Sequence, residues 1–109
     1  MLVVTRYRVP ADEWVSFHEQ ARGAVRVLTE RPGCRAATVG RNVDEPELWT
    51  LTTEWATVGD YRRALSNAQV KQYAVPLMYR AVDEPTAYEA LTTWNPADGV
   101  QEHVSDLGL

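Results

Sequence analysis

Apolar residues along this chain follow two periods, and the switches between them mark its elements. From Leu2 to Val9 they alternate: Val3, Thr5, Tyr7 and Val9 fall on one side, and Leu2, Val4, Arg6 and Arg8 on the other. Period two predicts a strand, and Pro10 closes it because proline offers no ladder donor. From Trp14 the spacing becomes three and four, through Phe17, Ala21, Ala24, Val25 and Leu28. That stripe predicts an amphipathic helix docked on a core, with Asp12 placed to cap its first turn. Gly23 costs a helix roughly 1 kcal/mol relative to Ala; the expected return is a close approach of the sheet.

Arg31-Pro32-Gly33-Cys34 is a stop-and-turn signal. Arg35 to Asn42 reads as a second strand, its arginines suiting a sheet edge. Asn42 to Glu47, with Pro46, is the loop of a hairpin. Leu48 to Trp55, LWTLTTEW, has the strongest strand composition in the chain. Trp49, Leu51, Thr53 and Trp55 share one face, and Leu48, Thr50, Thr52 and Glu54 the other. Neither face is wholly polar, so this strand belongs in mid-sheet with a cover on each side. Thr57 and Asp60 match a capping box and start a short helix with Val58, Tyr61 and Leu65 inward. Ser66 and Gln69 repeat the signal, and Val70, Tyr73, Ala74 and Leu77 form the next stripe, which Pro76 must kink or end. Asp83-Glu84-Pro85 breaks the chain before a last strand, Thr86 to Leu91. Trp94 to Leu109 shows no period. The division is therefore a domain over 1–91 and a tail or arm over 92–109, with Trp94, Val100, Val104 and Leu107 as apolar anchors that could hook over a partner.

Strand, helix, strand, strand, broken helix, strand is the β-α-β-β-α-β order of an α+β, ferredoxin-like fold. Its four-stranded antiparallel sheet has the first and third strands central and helices on one face. The open face is expected to hold Leu2, Val4, Val39, Thr50, Thr52 and Tyr88 with Arg6, Arg8 and Glu54. That mixture is too apolar for water, so a second copy of the chain is the expected cover, with Arg6 or Arg8 pairing with Glu54.

Composition narrows the function classes. At 109 residues, 45% hydrophobic and 24% charged, the chain fits one ordinary globular domain. A net charge of −4 and a pI near 5.1 leave no basic field for nucleic acid or an anionic membrane. Met1 to Tyr7 lacks the pattern of a signal peptide, and no apolar run approaches the roughly 18 residues of a membrane span. The lone Cys34 forms no internal disulfide, which with the missing signal points to the cytoplasm.

The first strand, the helix ending in RPGC (Arg31 to Cys34), the hairpin into a strand ending in TEW (Thr53 to Trp55), the Tyr61-bearing helix and the strand after DEP (Asp83 to Pro85) together resemble the antibiotic biosynthesis monooxygenase family. The similarity runs from about Leu2 to Leu91. It implies a dimeric α+β barrel: a homodimer of ferredoxin-like protomers, each with a ligand cavity between sheet and helices. The family includes enzymes that oxygenate aromatic polyketides such as anthrones with neither metal nor flavin, haem-degrading enzymes, and members of no known activity. The haem-degrading members carry Asn, Trp and His where this chain has Tyr7, Ala64 and Tyr73. The polyketide oxygenases tend to use the same Trp, so Ala64 departs from both, while Tyr73 falls where an active-site Tyr is plausible.

Candidate chemistry follows from the side chains. His18-Glu19 fails as a metalloprotease motif, because Arg22 stands where the second His is needed. Two distant His and one Cys do not form a zinc set, Cys34 has no base beside it, and the scattered glycines build no phosphate cradle. The strongest constellation is aromatic: Tyr7, Trp49, Trp55, Tyr61 and Tyr73, with His18 and Asn67 as polar company. Such residues fill ordinary cores, and they equally wall pockets for flat phenolic ligands. For an oxygenase, His18 and Tyr73 are the catalytic candidates, and Tyr7, Trp49, Trp55, Tyr61 and Asn67 the pocket. The expected function is a cofactor-independent monooxygenase acting on a small aromatic, polyketide- or quinone-like metabolite. The alternative is a non-catalytic ligand-binding or scaffold homodimer, with haem binding behind both.

Overall fold

In the computed structural model, which describes residues 1–108, a four-stranded antiparallel sheet has the order β2-β3-β1-β4. β1 spans Leu2–Arg8, β2 Cys34–Arg41, β3 Leu48–Trp55 and β4 Ala87–Tyr88. α1 is Trp14–Thr29, α2 Val58–Leu65, α3 Ala68–Tyr73 and α4 Val75–Met78. The fold is α+β and ferredoxin-like, with β1 and β3 central.

Register decides which side chains meet on the helix side. Tyr7 lies opposite Trp49, which lies opposite Arg41. One step along, Thr5, Leu51 and Val39 form a row, and then Val3, Thr53 and Ala37. Val39 therefore shares the covered face with Leu51, which corrects its expected place on the open face. The arginine expectation is corrected too. Arg6 Nε donates to Glu84 at 2.8 Å and Arg8 Nη1 to Glu45 at 3.0 Å, while Glu54 lies opposite Leu2 at the far end of the strand. Leu2, Val4, Thr50 and Thr52 stay half-buried on the open face, with Tyr88 opposite Leu2 and half exposed.

Phe17, Ala21, Ala24, Val27 and Leu28 of α1 are buried against the sheet. Fully burying a side chain of the size of Phe17 or Leu28 contributes roughly 1.5–3 kcal/mol, so packing outweighs the cost of Gly23. A methyl group at Gly23 would meet nothing within 4 Å. The glycine admits no close approach of the sheet, and the expectation that it does is corrected.

Asp12 does not cap α1. Residues Ala11–Glu13 form a 3-10 turn closed by Glu13 N donating to Pro10 O, and no side chain caps the helix that follows. Trp14 Nε1 instead donates to Val9 O at 2.9 Å and ties the start of α1 to the end of β1. The turn after α1 needs Gly33, which has φ +87° and sits so close to the Asp60 side chain that a Cβ would collide with it. Thr57 caps α2 by accepting from Asp60 N, as its spacing predicts. The cap of α3 is Asn67, whose Oδ1 accepts from the amides of Gln69 and Val70, because Ser66 is spent as the helical end of α2. Helicity breaks at Ala74, ahead of Pro76. Val70, Ala74 and Leu77 stay buried across the break, whereas Tyr73 turns outward and is 45% exposed.

After β4 the chain makes a second, two-stranded sheet where no period was visible: β5, Thr92–Asn95, pairs with β6, Gly99–Glu102. Asn95 Oδ1 accepts from the amides of Ala97 and Asp98, and Gly99 at φ +67° completes the turn. Trp94 and Val100 lie opposite each other and are about two-thirds exposed.

Candidate functional site

The row Arg41–Trp49–Tyr7 sits beneath the first turns of α1, and the aromatic residues of that helix close over it. The Phe17 ring lies 5.1 Å from Tyr7 and 5.4 Å from Trp49, nearly perpendicular to the latter. The exposed His18 ring is 5.8 Å from Trp49. The Arg41 guanidinium lies over both Trp14 and Trp49, at 5.1 and 5.5 Å from their ring centroids. Such contacts favour cation over π-face and close the outer end of the row.

The interior carries polar groups that a simple core would not need. Thr5 and Thr53 are buried on the helix side. Tyr7 Oη and Thr5 Oγ1 are 2.8 Å apart, and Thr5 donates onward to Leu51 O at 3.2 Å, which makes the Tyr7 hydroxyl the donor of the pair. Trp55 Nε1 donates to Thr53 Oγ1 at 2.8 Å, and the Trp55 ring packs on Tyr61. Burial pushes the Tyr7 phenol up. Tyr61 reinforces that shift and Arg80 opposes it. Burial also raises Tyr61. Both phenols are therefore hydroxyl donors at neutral pH. Burial raises the Cys34 thiol as well, which keeps it from serving as a thiolate nucleophile.

An open groove of about 530 Å³ runs between α1 and the α3–α4 break, lined by Glu19, Gln20, Tyr73, Pro76, Leu77 and Arg80 among others. Arg80 is its principal cation. Its guanidinium lies 5.5 Å from the Phe17 centroid, Nη1 donates to Gln20 Oε1 at 3.2 Å, and Nη2 reaches Glu13 Oε1 at 3.1 Å. Phe17, packed on Tyr7 and Trp49, thus meets a residue of the groove wall from the interior side. A second, more apolar groove of about 510 Å³ lies on the outer side of the helices, among Leu65, Lys71, Val75, Met78 and Tyr79.

The sequence candidates fall in separate places. Tyr7 and Trp49 meet at one end of the covered sheet face, Trp55 and Tyr61 at the other, and Tyr73 lines the groove. Asn67 is engaged as a helix cap, and His18 stands outside the groove, beside Trp49. Thr5 and Thr53 could have been found from their period-two positions among buried neighbours. Arg80 lies past the end of α4, where no periodic signal exists. Among the described residues, no three His, Cys, Asp or Glu converge as metal ligands, and no helix is long and apolar enough to cross a membrane.

Residues 1–75 match the family described as antibiotic biosynthesis monooxygenase. Solved structures share the fold at low identity. A candidate antibiotic biosynthesis monooxygenase from Deinococcus radiodurans has TM-score 0.70 and 18% identity, over 87% of this chain and 97% of that one. A variant of SnoaB, a cofactor-independent oxygenase from Streptomyces nogalater, has TM-score 0.64 and 20% identity, over 74% and 82%. A conserved protein from Methanosarcina mazei has TM-score 0.65 and 21% identity, over 79% and 84%. No curated protein sequence matches.

The buried phenols give stability a dependence on alkaline pH. Folding raises the pKa of Tyr7 and Tyr61 above the unfolded value of about 10, so the folded state holds these protons more tightly. Their contribution is fully present below that pH and is lost as pH rises through the folded values. Urea unfolding followed from pH 7 to 11 should show stability falling above about pH 10. The fall should flatten in the Tyr7→Phe/Tyr61→Phe variant; an equally steep fall there would assign it to other groups.

Proposed function

The chain belongs to the antibiotic biosynthesis monooxygenase family, and on that premise we propose that it is a cofactor-independent monooxygenase for a small aromatic, polyketide- or quinone-like metabolite. The observation that carries this reading is the groove wall: Tyr73 and Arg80 line it, and the Arg80 guanidinium lies 5.5 Å from the Phe17 ring, which packs on Tyr7 and Trp49 in the interior. Flat phenolic rings suit such walls through stacking and edge contacts.

In the proposed reaction an activated ring methylene loses a proton, and the resulting carbanion is electron-rich enough to reduce oxygen itself. A carbon–oxygen bond forms and gives a peroxide. Loss of the second methylene proton then breaks the oxygen–oxygen bond, leaving one oxygen atom in a new carbonyl and the other in water. The methylene carbon supplies the electrons, so the balance closes with dioxygen as the sole oxidant. In this reading Tyr73 hydrogen-bonds the substrate oxyanion and His18 accepts the proton, with Tyr7, Trp49, Trp55, Tyr61 and Asn67 as the pocket and its frame.

A second reading, a non-catalytic binding protein of the same fold, is favoured by one residue. Ala64 is buried and small on α2, where the resemblance leads one to expect Trp. Turnover separates the two readings. With anthrone or a hydroquinone under metal-free conditions, oxygen uptake should exceed a boiled-protein control. It should fall roughly 10²-fold in Tyr73→Phe or His18→Ala, the scale of a lost acid–base group. No uptake across such a panel would favour the binding protein.

The half-buried residues of the open sheet face support a homodimer, and the Trp94–Val100 hairpin is read as an arm over the partner. Light scattering at micromolar concentration should give twice the 12.3 kDa chain mass, and removal of the residues after Thr93 should weaken the dimer. A monomeric full-length chain would contradict the dimer, and unchanged dimer affinity after truncation would contradict the arm.

A further inference from the structure

Trp49 carries an interior donor that nothing in the protein answers. The residue is 6% exposed, and among the described residues its Nε1 is the buried side-chain polar atom left without a hydrogen-bond partner. The other indoles are provided for. Trp14 Nε1 donates to Val9 O, Trp55 Nε1 donates to Thr53 Oγ1, and Trp94 is 67% exposed to water. An orphaned buried donor costs stability. Phe at this position would fill the aromatic face without that cost, so the indole N–H calls for an acceptor from outside the chain.

The surroundings define what that acceptor must be attached to. Trp49 is flanked by Phe17, His18 and, across the ladder, Tyr7. An acceptor reaching the indole is therefore best delivered on a flat aromatic body that stacks among these rings. The Arg41 guanidinium over the same indole favours an oxygen carrying partial negative charge, as a conjugated carbonyl does. Phe17 links the two regions, with the Arg80 guanidinium of the groove wall 5.5 Å from its ring and Trp49 5.4 Å away, so a ligand in the groove reaches the indole only by displacing that ring.

We infer that Trp49 is a specificity-determining ligand contact: its indole N–H donates to a ring carbonyl of an anthrone- or quinone-type ligand that enters from the groove past Phe17. The inference rests on the monooxygenase reading for its ligand class and adds to it the group that recognises the oxygen. A site built around an unanswered donor gains a hydrogen bond only from a ligand that brings the acceptor, and so prefers it to an analogue of the same shape without one. Trp49 thus separates carbonyl-bearing tricycles from their oxygen-free counterparts.

The test uses the full chain, labelled with 15N, and two probes: anthraquinone, which is not turned over, and 9,10-dihydroanthracene, of similar outline without oxygen. The Trp49 indole resonance is assigned by its disappearance in Trp49→Phe. Anthraquinone should shift that resonance and dihydroanthracene should not. Trp49→Phe should weaken anthraquinone binding roughly tenfold, the scale of one hydrogen bond, and leave dihydroanthracene binding unchanged; Trp94→Phe should alter neither. Shifts at the amides around Tyr73 with a stationary Trp49 indole would overturn this inference alone. No shift anywhere at saturating anthraquinone would overturn it together with the ligand class on which it rests. The wild-type titration decides the question even if Trp49→Phe folds poorly.

Discussion

The packing of Phe17 joins three parts of the chain that are far apart in sequence. Its ring touches Tyr7 on β1, Trp49 on β3 and the Arg80 guanidinium beyond α4. Burial of a ring this size contributes roughly 1.5–3 kcal/mol, more than any single exposed ion pair in the structure can. The same ring is the contact between the interior aromatic row and Arg80 of the groove wall. Arg80 adds to this by holding Gln20 on α1 and Glu13 in the turn before it.

The two faces of the sheet meet different demands. On the helix side, three rows of cross-strand neighbours alternate aromatic, aliphatic and hydroxyl side chains. Thr5 and Thr53 let Tyr7 and Trp55 keep their polar atoms bonded inside a core. On the other side, Leu2, Val4, Thr50 and Thr52 are half-buried within one chain. Arg6 and Arg8 are held by Glu84 and Glu45, so the middle of that face is left to apolar and threonine side chains. A surface of that kind suits a second sheet better than it suits water.

Much of the architecture was legible in the sequence because it rests on period. Leu48–Trp55 and Leu2–Arg8 declare their covered faces by alternation, and α1 by its stripe, and these signals place the aromatic candidates between sheet and helices. The misses share a physical cause: tertiary contacts that no spacing announces. Val39 sits on the covered face because a bulge near Cys34–Ala36 shifts the register of β2. Asp12 lost its capping role to a 3-10 turn and to the bond from Trp14 to Val9. Tyr73 left its predicted stripe: Val70 and Ala74 take the buried positions, and the phenol at the end of α3 lines the groove. The β5–β6 hairpin escaped notice because four-residue strands are too short to show alternation, although Asn95 and Gly99 are ordinary turn residues. Arg80 had no signal at all.

What makes the site more than a core is its unequal provision of partners. Among the described residues the Trp49 Nε1 is the fully buried side-chain polar atom without a partner, and Phe17 packs beside it. A crystal structure of the chain with anthraquinone tests the account most directly. The tricycle should lie in the groove beside Tyr73, with Phe17 turned aside and one carbonyl oxygen within hydrogen-bond distance of Trp49 Nε1. Ligand seated instead in the outer groove between Leu65 and Tyr79, with Phe17 unmoved, would contradict it.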